Sequence, residues 1–373
     1  MPRRAPGQRR SLAPPRGSRV NSLPGPMKRL LRHASQLVPA LLALALVGFT
    51  LRTADLGRAL GLVHSLGWTI PLLVLPNLVA VLFETIGWRM AFSRLGERPR
   101  LPSLFAVRLM ADAVMLGLPS GAVIAESLQP YLLRRRCGVP FEVGIVAGVG
   151  RKFLVVMSHG LFLALSVPLA WPALERASRA AIGRGGLPWL LLAGAAALVG
   201  AAAGVAAVGV HGRLGDRAHR GLDRFGGRWL SSWLESNALR FQQADRHLAA
   251  FFRGRPGGLV ASVGTYMLGW LARAVETLVF LRLLGVDVEL GSAMVMETAL
   301  ILVRAMAVPV PAGLGVQDAG YVLSLRGLGV ADATTVGAAF VLLKRGKDLF
   351  WIASGFLLLL ASRERGPLSS GSR

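Results

Sequence analysis

Seventeen ionisable or amide side chains sit in or beside apolar stretches of this chain: Glu84, Arg89, Arg108, Asp112, Glu126, Arg151, Lys152, Arg273, Glu276, Glu297, Arg304, Gln317, Asp318, Lys344, Arg345, Lys347 and Asp348. An ionisable group inserted at membrane depth costs at least about 2.5–3.5 kcal/mol, so each needs a partner or a wet cavity. Two doublets, Arg151-Lys152 and Lys344-Arg345, offer adjacent cations suited to an anionic headgroup, phosphate above all. Glu126, Gln317 and Asp318 follow Pro/Gly breaks and can bind polar groups or protons. Those breaks, Pro119-x-Gly121 and Pro311-x-Gly313 with Gly315, expose free backbone N–H groups, a second device for anions. Glu84 and Glu276 are candidate proton carriers, or partners for the cations. Asp112 and Arg304 each stand seven residues before a Pro-x-Gly and are placed to pair as a gate or brace. Arg89 and Arg108 can also snorkel to an interface, and Lys347 can simply neutralise Asp348.

The elements that carry these residues follow from composition. Of 373 residues 53% are hydrophobic and only 17% charged, with mean hydropathy +0.53. A soluble domain carries about 25% charged residues. Uncharged runs cover 34–51, 65–83, 153–174 and 185–210, and about 20 apolar residues span a bilayer. The pattern is that of an all-α polytopic membrane protein, and it excludes a soluble enzyme, a single anchor and a β-barrel. The net charge of +24 lies between the apolar runs, as membrane topology demands, so nucleic acid is not expected as a partner. Cys137 is the only cysteine, and the six histidines share no ligand spacing. Neither a metal nor another cofactor is expected.

Residues 1–33 form a basic tail that cannot bury a core. Full crossings are expected at 34–51, 67–93, 142–171, 187–210, 258–284 and 333–361. Regions 101–137 and 291–327 read as broken helical hairpins of two half-helices each. Residues 211–257, with nine Arg, Trp229, Trp233 and Phe251-Phe252, read as an amphipathic cytoplasmic loop on the membrane surface. With six crossings and a cytoplasmic N-terminus, the inner segments (94–100 and 134–142 among them) carry +20 and the outer ones +1. This predicts both termini, including the tail 362–373, in the cytoplasm of a cell whose inner membrane holds the protein.

The sequence also matches itself at an offset of 192 residues. Over 78–152 only 12 of 75 positions are identical, near chance, so the argument rests on where they fall. Glu84-Thr85 meets Glu276-Thr277, Pro119-x-Gly121 meets Pro311-x-Gly313, and Lys152 meets Lys344. Repeat halves of about 67–171 and 258–361 follow. Two crossings separate them, so they run in opposite directions through the bilayer, an arrangement that places transporter sites at the interface of the repeats.

The segment Val308-Pro-Val-Pro-Ala-Gly-Leu-Gly-Val-Gln-Asp-Ala-Gly-Tyr321 resembles the C-terminal signature of the flippase-like family, also called the lysylphosphatidylglycerol synthase transmembrane region. Asp318 stands where that family usually has Glu. Leu118-Pro-Ser-Gly-Ala-Val-Ile-Ala-Glu126, with Tyr131 to Arg136, is similar to its first motif, with Ala125 in place of a glycine. Leu342 to Leu349 is similar to a run in a subgroup associated with hopanoid biosynthesis. The resemblance covers about 35–361. It implies transbilayer movement of an anionic lipid, of a polyprenyl-phosphate-linked precursor or of a hopanoid-type lipid. Synthase activity is not expected, since only 13 residues follow Leu360. No nucleotide-binding Gly-x4-Gly-Lys-Ser/Thr occurs, so movement is expected to be downhill or driven by membrane potential. The leading expectation is thus a flippase and not an enzyme. The alternatives are a non-catalytic partner of envelope-biosynthesis enzymes and, behind it, a membrane-embedded lipid transferase.

Overall fold

The computed structural model describes residues 55–118, 121–210, 238–254, 256–306 and 315–364. All regular structure among them is helical. The helices are α1 (Leu56–Ser65), α2 (Leu75–Ser93), α3 (Leu101–Gly117), α4 (Gly121–Cys137), α5 (Phe141–Leu169), α6 (Trp171–Ile182) and α7 (Leu187–Val210). They continue as α8 (Ala238–Arg253), α9 (Pro256–Leu283), α10 (Leu290–Met306), α11 (Val316–Gly327) and α12 (Ala333–Glu364). A 3-10 stretch, Gly67–Val74, leads directly into α2. Pro71 lies inside that stretch and Pro76 opens α2, and neither has an N–H to give to an α-helical ladder.

Among the described residues four elements are long and apolar enough to cross a membrane: Gly67–Ser93, Phe141–Leu169, Leu187–Val210 and Pro256–Leu283. They match four of the six expected crossings to within two residues. The sixth, α12, has 32 residues, ample length, but carries Lys344, Arg345, Lys347 and Asp348 in its middle. The expected first crossing, 34–51, lies outside the described residues, as do the tail 1–33, residues 211–237 and the end of the C-terminal tail. The loop expected over 211–257 is corrected where it is described. Phe251 and Phe252 of α8 are buried in a core with Phe153 of α5, so the apolar face of α8 covers α5 and α7 instead of lipid. Gly209 makes this possible, because a Cβ there would strike the Phe252 ring.

Among the described helices α2 and α9 pack against each other more extensively than any other pair. At Gly87 a Cβ would meet the Tyr266 ring at 2.8 Å and the Ser262 carbonyl at 3.0 Å, so the two backbones touch there. Helix starts recur at or near the 192-residue offset: α5 opens at Phe141 and α12 at Ala333, 192 apart, and α3 at Leu101 and α10 at Leu290, 189 apart. Contacts exchange under the same offset. α3 packs on α12 as α10 packs on α5, α4 on α5 as α11 on α12, and α1 on α12 as α8 on α5.

The expected hairpins are α3–α4 and α10–α11. Pro119, Pro311 and Gly313 lie outside the described residues, but Gly121 and Gly315 do not. α3 ends on extended Leu118, and the Gly121 N–H donates to the Leu118 carbonyl at 2.9 Å. A Cβ on Gly121 would strike the Val114 carbonyl and come within 2.7 Å of that of Met115. Gly315 sits at φ +78°, where a side chain would be strained, and opens α11. The arms α3, α4 and α10 have 17 residues each, about 26 Å at 1.5 Å per residue. They reach most of the way through a hydrocarbon core of about 30 Å, and so are longer than the half-helices expected.

Gly121→Ala should lower stability by about 1–3 kcal/mol, because backbone carbonyls cannot move aside as a side chain can. Gly264→Ala on α9, with open space at its Cβ position, serves as control. Thermal unfolding of the detergent-solubilised variants checks the difference; equal midpoints would contradict the close α3–α4 approach.

Candidate functional site

Between the two sets of helices lies a cavity of about 470 Å³, lined by α2, α3, α4, α5, α9, α10, α11 and α12. Its wall gathers most of the intramembrane polar residues. Helical spacing explains how. Asn77 and Glu84 share one face of α2, Arg108 and Asp112 one face of α3, and Tyr266, Trp270 and Arg273 one face of α9.

One lobe is built on Glu84. Arg108 of α3, itself buried, pairs with Glu84, and its Nε lies 3.3 Å from Asp112. Arg273 of α9 donates to Glu84 Oε1 at 3.1 and 3.2 Å and to Asn77 Oδ1 at 3.1 Å. Gly269 leaves the room this needs: a Cβ there would sit 2.8 Å from the Glu84 Cγ. Arg151 of α5 donates to Asp112 at 3.2 Å and lies over the Trp88 ring at 5.4 Å. Trp88 is held in turn by its Nε1 donating to the Ala147 carbonyl at 3.1 Å.

The other lobe is built on Lys344. Its Nζ lies 2.8 Å from both Glu276 and Glu297, within 5.5–6.0 Å of the centres of the Phe280, Tyr321 and Phe340 rings. Aromatic faces and two carboxylates together replace the water this ammonium has lost. Lys347 also reaches Glu276 at 2.8 Å. The Tyr321 hydroxyl donates to Glu297 at 3.2 Å and accepts from Gln317 at 3.1 Å, and Thr277 also donates to Glu297. Asp318 binds Arg345 at 2.6 Å through Oδ1 while its Oδ2 accepts from the Gly315 N–H at 3.0 Å, capping α11.

These contacts change the reading of the cationic doublets. Adjacent residues on a helix point about 100° apart, and each doublet splits accordingly. Lys344 turns into the Glu276/Glu297 pair while Arg345 turns to Asp318. Arg151 turns to Asp112 while Lys152 pairs with Glu126 at 3.1 Å, both well exposed. Four free cations waiting for an anion are therefore not what the site contains. Among the described residues seven cations and six carboxylates line the cavity, and Glu276 lies just behind the wall, paired to two of those cations. Glu84 and Glu276 stand as partners of cations. Asp112 is engaged by Arg108 and Arg151, and the Arg304 side chain expected opposite it lies outside the described residues.

Sequence reasoning missed Asn77, Gln129, Tyr266, Trp270 and Tyr321. A signal existed for most of them. Asn77 is seven residues before Glu84, Tyr266 seven before Arg273, and Tyr321 four after Gln317, all on one helical face with a residue already singled out. Tyr266 Oη and Gln129 Nε2 are buried in the cavity wall with no hydrogen-bond partner among the described residues.

Breaking a buried pair by removing one partner costs about 3–5 kcal/mol, whereas exposed pairs contribute about 0–1 kcal/mol. Lys344→Met should thus destabilise the protein by about 3–5 kcal/mol, and Lys152→Ala by less than about 1 kcal/mol. Denaturant unfolding in detergent distinguishes them. A Glu297→Gln change added to Lys344→Met should recover part of the loss, since one uncompensated carboxylate is then neutral.

No curated protein and no solved structure gives a significant match to the chain. Its family is nevertheless defined: the lysylphosphatidylglycerol synthase TM region matches residues 36–353, so this chain is a member of that family, multi-pass membrane proteins tied to lipid modification or transport.

Proposed function

We propose that the protein moves an anionic, phosphate-bearing lipid from one leaflet to the other, its headgroup passing through the cavity while its acyl chains stay in the bilayer. The supporting observation is the charge-lined cavity between the two sets of helices, walled by both lobes. A headgroup phosphate enters by exchange. It takes the place of Asp112 on Arg151, or of Asp318 on Arg345, while Tyr266 and Gln129 donate to its oxygens. Because the wall is close to neutral, the cost of stripping water from the phosphate is met by pairs that re-form behind it. No trapped anion is left to block release.

The recurring helix starts and exchanged contacts support reading the two halves as an inverted repeat, with α3–α4 and α10–α11 as hairpins entering from opposite faces. Such a fold opens to either side by rocking one half against the other. The charge distribution supports cytoplasmic termini in an inner membrane. With no ATP-binding motif in the sequence, the movement is downhill or draws on the membrane potential, about 2.3 kcal/mol per charge per 100 mV.

Transbilayer movement of labelled anionic and neutral lipids in liposomes holding the purified protein tests this. Wild type should move the anionic lipid faster than the neutral one. Arg151→Gln keeps Asp112 paired to Arg108, so folding should survive. A lost charge-assisted hydrogen bond of about 1.5–3 kcal/mol should slow movement roughly 10- to 100-fold. No movement of any lipid by folded wild-type protein would overturn the proposal and favour a role as a partner in a biosynthetic complex.

A further inference from the structure

A second concavity, about 1310 Å³ and open to solvent, lies where the α2–α3 turn meets the end of α4. Five arginines converge on it: Arg98 and Arg100 from the turn, and Arg134, Arg135 and Arg136 from the last turn of α4. Among the described residues no carboxylate lines it. Arg136 donates to the Leu358 carbonyl at 3.3 Å, tying the basin to α12. Arg98, Arg100 and Arg134 make no ion pair among the described residues.

Two ordinary explanations account for part of this. Cations at a helix C-terminus answer the helix dipole, and arginines outside the apolar runs set topology. Neither requires that arginines from two separate elements face one hollow, where their repulsion works against the fold unless an anion is present. Five guanidinium groups around one concavity focus a strong positive field, and those of Arg98, Arg100 and Arg134 present planar forks suited to phosphate oxygens. Tyr131 and Phe141, both exposed, line the same hollow, with the amphipathic aromatic character of a membrane–water boundary.

We infer that this basin is a binding site for the phosphate headgroup of an anionic lipid, with room for two phosphates. It stands apart from the cavity proposed for transport and holds whether or not that proposal does. The two are neighbours all the same. Gln129 in the cavity wall and Arg134 in the basin lie on the same helix, about 7.5 Å apart along its axis. The site is also one-sided. At the 192-residue offset, its five arginines fall on Leu290, Ser292, Arg326, Gly327 and Leu328, and Arg326 is bonded to Thr334 at 2.8 Å. Only one leaflet is sampled, on the face where cationic segments accumulate.

The test is lipid binding to the detergent-purified full chain, using cardiolipin as the two-phosphate probe, with phosphatidylglycerol, phosphatidylcholine, inorganic phosphate and pyrophosphate alongside. Native mass spectrometry should show cardiolipin retained at least about tenfold better than phosphatidylcholine, and the preference should fall with added salt. A combined Arg98→Gln, Arg100→Gln and Arg134→Gln variant should lose it. Arg176→Gln with Arg179→Gln, on exposed α6, should not. Should the triple variant fail to fold, dicarbonyl modification of wild-type arginines gives the answer instead. Cardiolipin should protect Arg98, Arg100 and Arg134 and leave Arg176 reactive. Equal retention of the two lipids, an unchanged preference in the triple variant, or no protection would overturn the inference. Protection by pyrophosphate equal to that by cardiolipin would overturn the lipid as occupant.

Discussion

A charged side chain at membrane depth must be neutralised within a few ångströms or its helix does not stay in the bilayer. That constraint organises this molecule. Glu84 on α2 is answered by Arg108 of α3 and Arg273 of α9, and Lys344 on α12 by Glu276 of α9 and Glu297 of α10. Each pair ties two or more helices, and the glycines Gly87 and Gly269 permit the backbone approach that the ties require. The cavity is what remains between charges that hold one another apart from lipid.

A neutral wall has a further meaning for the transport proposed. A strongly cationic site would bind an anion tightly and release it slowly. Paired charges give a shallow well, because a ligand can bond to a cation only where a carboxylate lets go. Buried pairs are a poor source of stability compared with apolar packing. Many of them in one place therefore point to a use other than holding the fold together.

Much of this was legible in the chain. Apolar runs located four spans to within two residues, because length and composition decide membrane insertion before any tertiary contact forms. The acids and bases of the cavity were legible for the same reason, as charges conspicuous in apolar sequence. Their partners were not. Arg273 lies three residues from Glu276 yet pairs with Glu84 on a helix 189 residues earlier, and only the α2–α9 crossing decides that. Treating Arg151-Lys152 and Lys344-Arg345 as units ignored the angle between neighbours on a helix. Phe251 and Phe252 looked like a membrane-surface pair because nothing local distinguishes lipid from the flank of α5 and α7.

The 3-10 stretch before α2 bears on length. A 3-10 helix rises about 2.0 Å per residue against about 1.5 Å for an α-helix. Eight residues wound this way add about 4 Å, so Gly67–Ser93, with 27 residues, extends about 44 Å. That is the reach of the 29-residue α5. Two prolines thus act as a spacer that brings a shorter segment to the same ruler mark as its neighbour, and both can meet one bilayer thickness without a difference in tilt.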